Sequence, residues 1–197
     1  MQYWPSLRSF TSDTINLSAN YKGTESAFLT CPLALCGESL WQQRPDSQFL
    51  KTLNAGGGDS AWIPTTSIMS LTDDVLLQTG DEKSAGYISD ERNVGATNTF
   101  VQKACAGKPG GMPYTHEGIM FSNLAYELAV DALLHDGPGQ VPRLNLDDVC
   151  SVVATKGLTS EDIIHTTGTV LVAGFNIGSQ LPTNGEPPIK PYAQMPV

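Results

Sequence analysis

Two residues of this chain have the types and positions that hydrolytic chemistry needs, Asp73 and His116. Asp73 follows a predicted strand and precedes an apolar stretch at 75–77, so we expect its carboxylate at the carboxyl end of a sheet, where α/β folds place their sites. His116 follows 43 residues later, after the next predicted strand and a loop. A histidine that accepts a proton and an aspartate that orients it are two parts of a serine acyl-transfer site, which also needs a nucleophile and oxyanion donors.

A nucleophilic serine is harder to place. The strand-to-helix elbow of α/β-hydrolases has the form G-x-S-x-G, in which the final glycine permits a tight turn. The nearest matches surround Ser39 and Ser60, but each has a tryptophan, Trp41 or Trp62, at that last position. An alternative interpretation treats residues 58–60 as a GDSL-like esterase block, although this motif lies far from the start of the chain and needs a partner histidine near the other end. The sequence therefore offers a base and an acid without a recognisable elbow.

Other titratable residues compete with this pair or have ordinary roles. Asp74 competes with Asp73, but adjacent residues point in different directions, so we expect only one of the two carboxylates to face the base. His135 is expected to favour a helix end by its charge, and His165 to lie within a helix. On composition alone, solvated side chains are the ordinary interpretation of Asp73 and His116.

The elements that must position the pair follow the order strand, helix, strand, strand, helix, which is typical of an α/β sheet. The residue pattern predicts strands at 14–19, 65–70 and 93–102, and helices at 47–55, at 118–134 and from 159 onward. Asp46 is the expected cap of the first helix and Gly56 its expected stop. Thr159 and Asp162 form a capping-box pattern, although the helix that follows is rich in poor helix formers. We expect one domain over 1–197, with 138–197 as its peripheral segment.

Charge and composition exclude several classes of partner. The chain has 197 residues with 20 acidic and 11 basic side chains, and its net charge of -9 repels nucleic acid phosphates. It contains no run of about 18 apolar residues, so we expect no transmembrane segment. The first residues lack the basic and apolar stretches of a signal peptide. We expect neither a metal nor a cofactor.

Four cysteines, Cys31, Cys36, Cys105 and Cys150, form an even set without C-x-x-C spacing. This pattern favours two disulfides over a zinc site, and four buried free thiols are the alternative. Asn16 begins an N-x-S sequon, which predicts a glycosylation site if the protein is secreted.

Four blocks of the sequence form a recognisable series, namely YWPSLRS at 3–9, YKGT at 21–24, SLWQQ at 39–43, and the run from IPTT at 63–66 to TDDV at 72–75. In this order they resemble the fungal lipases and esterases of the Candida antarctica lipase B type. The carboxyl-terminal tail at 186–193 is similar to the end of the family, without its terminal cysteine pair. The resemblance implies an α/β fold, here the C-terminal half of an α/β-hydrolase with a mostly parallel sheet, in which the early strands and the nucleophile elbow are missing.

The same resemblance implies roles for individual residues. Asp73 lies in the family's Thr-Asp-acid turn and corresponds to the catalytic acid, and Val75 resembles an acyl-pocket wall. His116 follows a cysteine-containing loop and corresponds to the catalytic base, although Glu117 departs from the small residue usual there. The resemblance also implies that Cys105 pairs with Cys150, which leaves Cys31 and Cys36 to form a small loop of their own.

We therefore expect a lipase or carboxylic ester hydrolase by family, present as a truncated chain that is inactive or nearly so by itself. The alternatives are a non-catalytic binding protein derived from a hydrolase, an esterase acting on a small metabolite ester in a fungal biosynthetic pathway, and an unrecognised nucleophile. The expected substrate is an ester or lipid, and the parent family is secreted. Without a preceding strand, the strand at 14–19 would present an open edge, so we also expect edge-to-edge self-association.

Overall fold

The structure is a computed structural model, which describes residues 1–31, 36–76 and 78–194. Its three strands, β1 (Thr14–Leu17), β2 (Thr65–Met69) and β3 (Ala96–Phe100), form a parallel sheet in the order β1-β2-β3. The predicted strands and their parallel arrangement are confirmed. Because all three strands run the same way, their carboxyl ends meet at one edge of the sheet, which is where Asp73 was expected.

The central strand β2 is buried at every position although three of its five residues are Thr65, Thr66 and Ser67. Buried hydroxyls are tolerated when they have hydrogen-bond partners. The Ser67 hydroxyl donates to the Gly86 carbonyl at 2.6 Å, and the Thr66 hydroxyl accepts from the Gly139 amide at 2.7 Å. These bonds let a polar sequence serve as the middle of the sheet and tie two loops to it.

The outer strands are shorter than the sequence predicted. β1 ends at Leu17 because Ser18 adopts a left-handed conformation with φ of 47°. β3 begins only at Ala96, after Asn93 (φ 52°) and Gly95 (φ 97°) interrupt the extended backbone. In the described part of the chain β1 pairs with β2 alone, so its outer edge is unpaired. Edge-to-edge association stays a prediction, which sedimentation of the purified chain would test.

Helices and 3-10 turns cover the sheet and connect its strands. The helices are α1 (Ser26–Thr30), α2 (Glu38–Gln42), α3 (Gln48–Ala55), α4 (Val101–Ala104), α5 (Asn123–Leu134), α6 (Leu146–Val149), α7 (Ser160–Ser179) and α8 (Pro191–Gln194). The 3-10 turns include Pro5–Phe10, Pro109–Gly111, Gly118–Phe121 and Val141–Arg143.

Two helix starts differ from the sequence predictions. The cap of α3 is Ser47, whose hydroxyl accepts from the Leu50 amide at 3.1 Å, and the prediction of Asp46 is wrong because that carboxylate pairs with Arg44 at 2.8 Å. The helix predicted over 118–134 is divided, because Ser122 leaves the helical conformation (ψ 126°) and caps α5. The 3-10 turn before Ser122 belongs to the loop that carries His116.

The core lies between β2, α4 and α5. Ile68, Val101, Tyr114, Leu124 and Leu128 are each at most 1% exposed and belong to one cluster. Such a cluster accounts for most of the favourable free energy of folding in a domain of this size. It therefore provides a rigid base beneath the carboxyl ends of β2 and β3.

Two disulfides are present, Cys31–Cys36 and Cys105–Cys150, with Cα–Cα distances of 4.7 Å and 5.3 Å. Both predicted pairs are confirmed, and the alternative of four free thiols is wrong. The second disulfide joins the end of α4 to the residue after α6 within the core. The domain boundaries stay a prediction, since burial within 138–197 is uneven: Cys150 is in the core, whereas no residue of α7 is buried.

Candidate active site

Asp73 lies in the turn that follows β2 and its side chain is fully buried, at 0% exposure. Its Oδ1 atom accepts hydrogen bonds from the backbone amides of Val75 at 2.9 Å and Leu76 at 2.8 Å. A carboxylate that accepts two amides across its own turn has a fixed orientation. The turn therefore aims Asp73 before any other element contacts it.

His116 meets this carboxylate through its ring. Its Nδ1 atom lies 3.0 Å from Oδ2 and 3.2 Å from Oδ1 of Asp73. The imidazole is 29% exposed, and no described residue forms a hydrogen bond with its Nε2 atom. Since Nδ1–H donates to the carboxylate, Nε2 is the atom that can accept a proton from a nucleophile. The structure brings the two predicted residues together, while their catalytic role stays a prediction.

The pair shifts the pKa of each member. The hydrogen bond with Asp73 raises the pKa of His116 above 6.5, although burial lowers it. The negative charges of Asp73, Glu117 and Asp74 raise this pKa further. Burial by itself would raise the pKa of Asp73, but hydrogen bonds from His116, Leu76 and Val75 together outweigh it and lower that pKa below 3.8. The arrangement favours an ionised aspartate and stabilises an imidazolium beside it.

Asp74 contacts the same histidine by a different route. Its Oδ1 atom accepts from the backbone amide of His116 at 2.9 Å. The prediction that only one of the adjacent carboxylates faces the ring is confirmed, because Asp73 takes the ring and Asp74 takes the main chain. Glu117, the residue after His116, has one carboxylate oxygen, Oε2, that is buried without a hydrogen-bond partner in the described chain. That negative charge contributes to the raised pKa of His116.

Several residues that join the turn of Asp73 to the loop of His116 were not predicted from the sequence. The hydroxyls of Ser70 and Thr72 both donate to the Tyr114 carbonyl, at 2.6 Å and 3.0 Å. Gln102, in α4, contacts both loops. Serine, threonine and glutamine are common on protein surfaces, so their types alone could not reveal these contacts.

Val75 lines a cavity of about 340 Å³ beside Asp73, together with Phe28 and Leu76. The carbonyl of Val75 accepts from the hydroxyls of Thr24 at 2.5 Å and Ser26 at 3.0 Å. The cavity wall is therefore anchored to Thr24 and to Ser26, the first residue of α1. Leu77, the next apolar residue, lies outside the described residues. A role of Val75 as an acyl-pocket wall stays a prediction.

The remaining candidate residues lie away from the pair or are engaged elsewhere. The Ser60 side chain is 1% exposed and its hydroxyl accepts from the Glu91 amide at 3.1 Å, while Ser39 belongs to α2. No serine of the described chain forms a hydrogen bond with His116, and the GDSL-like interpretation stays a prediction. Asn16 donates from Nδ2 to the Tyr21 hydroxyl at 2.7 Å, which occupies the nitrogen that glycosylation would modify.

The described residues contain no group of three or more His, Cys, Asp and Glu side chains arranged to hold a metal ion. Within the same residues, no helix combines the length and apolar character needed to cross a membrane.

The fold of this chain resembles that of a solved lipase. Its parallel sheet flanked by helices matches the crystal structure of Aspergillus fumigatus lipase B with a TM-score of 0.91. The two sequences are 45% identical over a match that covers 98% of this chain and 47% of that chain. Lipase B of Pseudozyma antarctica is 26% identical over 197 residues, which is 98% of this chain and 55% of the relative.

These comparisons confirm the resemblance to the lipase B-like fungal family. No family profile matches the chain. The chain spans about half the length of the lipases that it matches.

Proposed function

We propose that this chain carries the base and the acid of a serine ester hydrolase, with His116 as the base and Asp73 as the residue that orients it. The observation that supports the proposal most directly is the 3.0 Å contact between Nδ1 of His116 and the buried Asp73 carboxylate, which leaves Nε2 without a hydrogen-bond partner among the described residues. This arrangement selects the tautomer in which Nε2 carries the lone pair, as acyl transfer requires.

In the proposed reaction, Nε2 of His116 accepts the proton of a serine hydroxyl as the serine oxygen attacks the ester carbonyl. The imidazolium that forms is stabilised by the Asp73 carboxylate, which stays ionised because its pKa is lowered. The imidazolium then donates its proton to the leaving alcohol, and an acyl-enzyme remains. Water attacks that ester in a second cycle of the same proton transfers, which releases the carboxylic acid and restores the serine.

The nucleophile and the oxyanion donors are proposed to come from sequence outside these 197 residues. Two observations support this: the sequence has no G-x-S-x-G elbow, and the lipases it matches are about twice as long. We infer a carboxylic ester or lipid as the substrate, because the matched proteins are named lipase B and the cavity beside Asp73 has Val75, Leu76 and Phe28 in its wall. A smaller metabolite ester remains within the same reaction class.

A chromogenic short-chain ester tests the proposal in two forms of the protein, the 197-residue chain and any longer in-frame product of its gene. We expect the short chain to hydrolyse no faster than its His116→Ala variant. In the longer product, His116→Ala is expected to lower kcat by about six orders of magnitude. His165→Ala is the matched control, since that imidazole is 73% exposed on α7 and should leave the rate unchanged.

A fluorophosphonate probe, which labels activated serines, separates the remaining outcomes. Labelling of the short chain in a His116-dependent manner would show that its own sequence contains the nucleophile, and peptide mapping would identify it. Hydrolysis by the longer product that is insensitive to His116→Ala would contradict the proposed role of the pair.

A non-catalytic binding role is the second candidate, favoured by the absence of a described serine hydrogen-bonded to His116. It predicts no labelling and no hydrolysis in either form, with a melting temperature that rises when a fatty-acid ester is added.

A further inference from the structure

We propose that Gln102 is a positioning residue, which holds the loop that carries His116 against the loop that carries Asp73. The inference rests on the proposed function, since it assigns a task within the same site. We call residues 70–76 the acid loop and residues 112–118 the base loop. Gln102 belongs to neither loop, because it lies in α4, directly after the carboxyl end of β3.

The carboxamide of Gln102 spans both loops at once. Its Oε1 atom accepts from the Leu71 amide at 2.9 Å, and its Nε2 atom donates to the Ser70 hydroxyl at 2.9 Å. The same Nε2 donates to the Met112 carbonyl at 3.0 Å. Ser70 lies three residues before Asp73 and Met112 lies four residues before His116. One side chain therefore sets the separation of the two loops close to the reactive pair.

The chemistry of these partners admits one orientation of the carboxamide. Leu71 offers an N–H group, which only Oε1 can accept, and Met112 offers a carbonyl, which only Nε2 can bind. If the amide were flipped, Nε2 would face the Leu71 amide, donor against donor, and Oε1 would face the Met112 carbonyl, acceptor against acceptor. Glutamine is thus suited to this position in a way that a purely donating or purely accepting side chain is not.

The backbone around Gln102 is held in place by the core, so the side chain can fix the position of the loops. Its neighbour Val101 is fully buried in the core, and Cys105, three residues later, is fixed by the disulfide to Cys150. The loops supply complementary bonds of their own, because the hydroxyls of Ser70 and Thr72 both donate to the Tyr114 carbonyl. Gln102 closes this set of bonds and connects it to the core.

The expected consequence of losing Gln102 is a longer and weaker contact between Nδ1 of His116 and Asp73. A hydrogen bond weakens over a few tenths of an ångström, and small displacements of catalytic groups reduce rates strongly. Three carboxylates act on this imidazole, those of Asp73, Asp74 and Glu117. Of these three, only Asp73 forms a hydrogen bond with the ring, and that bond requires the two loops to keep their relative position.

The test is an NMR titration of the histidine rings in isotope-labelled 197-residue chain. Gln102→Met keeps the length of the side chain and removes every hydrogen bond that its carboxamide makes. We expect the pKa of His116 to fall toward its ordinary value, while the resonances of His135 and His165 titrate as before. Gln48→Met is the matched control, because that glutamine is exposed on α3. It should leave all three titrations unchanged.

A melting temperature that falls in Gln102→Met while the His116 titration is unchanged would overturn the proposal and leave Gln102 a structural role only. If Gln102→Met does not fold, Gln102→Asn provides the test, because its shorter carboxamide reaches one loop at a time and should shift His116 in the same direction. The titration needs no turnover, so it stands even if ester hydrolysis is never observed. In a hydrolytically active longer product, Gln102→Met should lower kcat by about 10- to 100-fold with KM nearly unchanged.

Discussion

The two loops that carry Asp73 and His116 are held very differently from α7. The loops are joined by hydrogen bonds from Ser70, Thr72, Gln102 and the Asp73–His116 pair itself, above a core cluster and a disulfide. α7 is 20 residues long, and none of its residues is buried. Residues 171–179, more than two turns at its end, are exposed throughout.

The difference shows which part of the molecule depends on local sequence and which on packing. α7 begins with a complete capping box, in which the Thr159 hydroxyl accepts from the Asp162 amide and the Asp162 carboxylate accepts from the Thr159 amide. Beyond that, Ile163 packs against the core, and the rest of the helix has glycines and β-branched residues of low helix propensity. Since most helices in proteins are stabilised by burial of one face, we expect α7 to open more readily than the site.

The largest effect is expected from the disulfide beneath the site. Replacing both Cys105 and Cys150 with alanine removes a bridge that closes 45 residues, which should lower the free energy of unfolding by about 4 kcal/mol in the loop-entropy model. The Cys31–Cys36 pair, which closes 5 residues, is the matched control with an expected loss of about 2 kcal/mol. Urea unfolding measures both, and equal losses would show that loop length does not govern stability here.

The next effect concerns pH and separates the site from α7. The raised pKa of His116 contributes stability that is present below 6.5 and lost as pH rises through the folded value. The lowered pKa of Asp73 contributes stability that is present above 3.8 and lost as pH falls through its folded value. The stability advantage of the wild type over His116→Gln should therefore be greatest between 3.8 and 6.5.

Urea unfolding across this range and well above it measures that advantage. A constant difference between the two proteins at every pH would contradict the ion pair. For an active longer product, the sign also predicts that hydrolysis increases as pH rises above 6.5, because the neutral imidazole is the base.

A smaller and local effect is expected at the start of α7. Thr159→Ala removes the hydroxyl of the capping box, which costs about 1 kcal/mol, and should make amide exchange in α7 roughly fivefold faster. Exchange at α5, whose own cap is Ser122, should not change, and hydrogen-exchange mass spectrometry can follow both. Faster exchange at both helices would mean that the two regions unfold together, which would break the comparison.

The smallest effect is expected from Asp74, which anchors the main chain of His116. Asp74→Ala removes the acceptor of the His116 amide, whereas Asp74→Asn retains an acceptor oxygen without the charge. Exchange of that single amide should be faster in the alanine variant and nearly unchanged in the asparagine variant, as NMR can show. Similar exchange in both variants would mean that charge, and not the hydrogen bond, governs the anchor.

The sequence predicted the elements best where the signals are local. Thr159 and Asp162 predicted the start of α7, and the β-branched run before Asp73 predicted β2, because caps and strand propensity act over a few residues. The cap of α3 was misplaced by one residue, since Asp46 and Ser47 are both good caps and only the ion pair with Arg44 separates them. Gln102 had no signal at all, because its partners are 10 to 32 residues away.

By itself the sequence determined that an aspartate follows a buried strand, that a histidine follows the next strand, and that four cysteines can pair. Only the tertiary structure decided that Asp73 takes the ring of His116 while Asp74 takes its backbone. It also decided that Gln102 joins the two loops. The physical reason is that parallel strands bring residues that are distant in sequence to one edge of the sheet. Which of them form hydrogen bonds there depends on their distance in space and not on their separation along the chain.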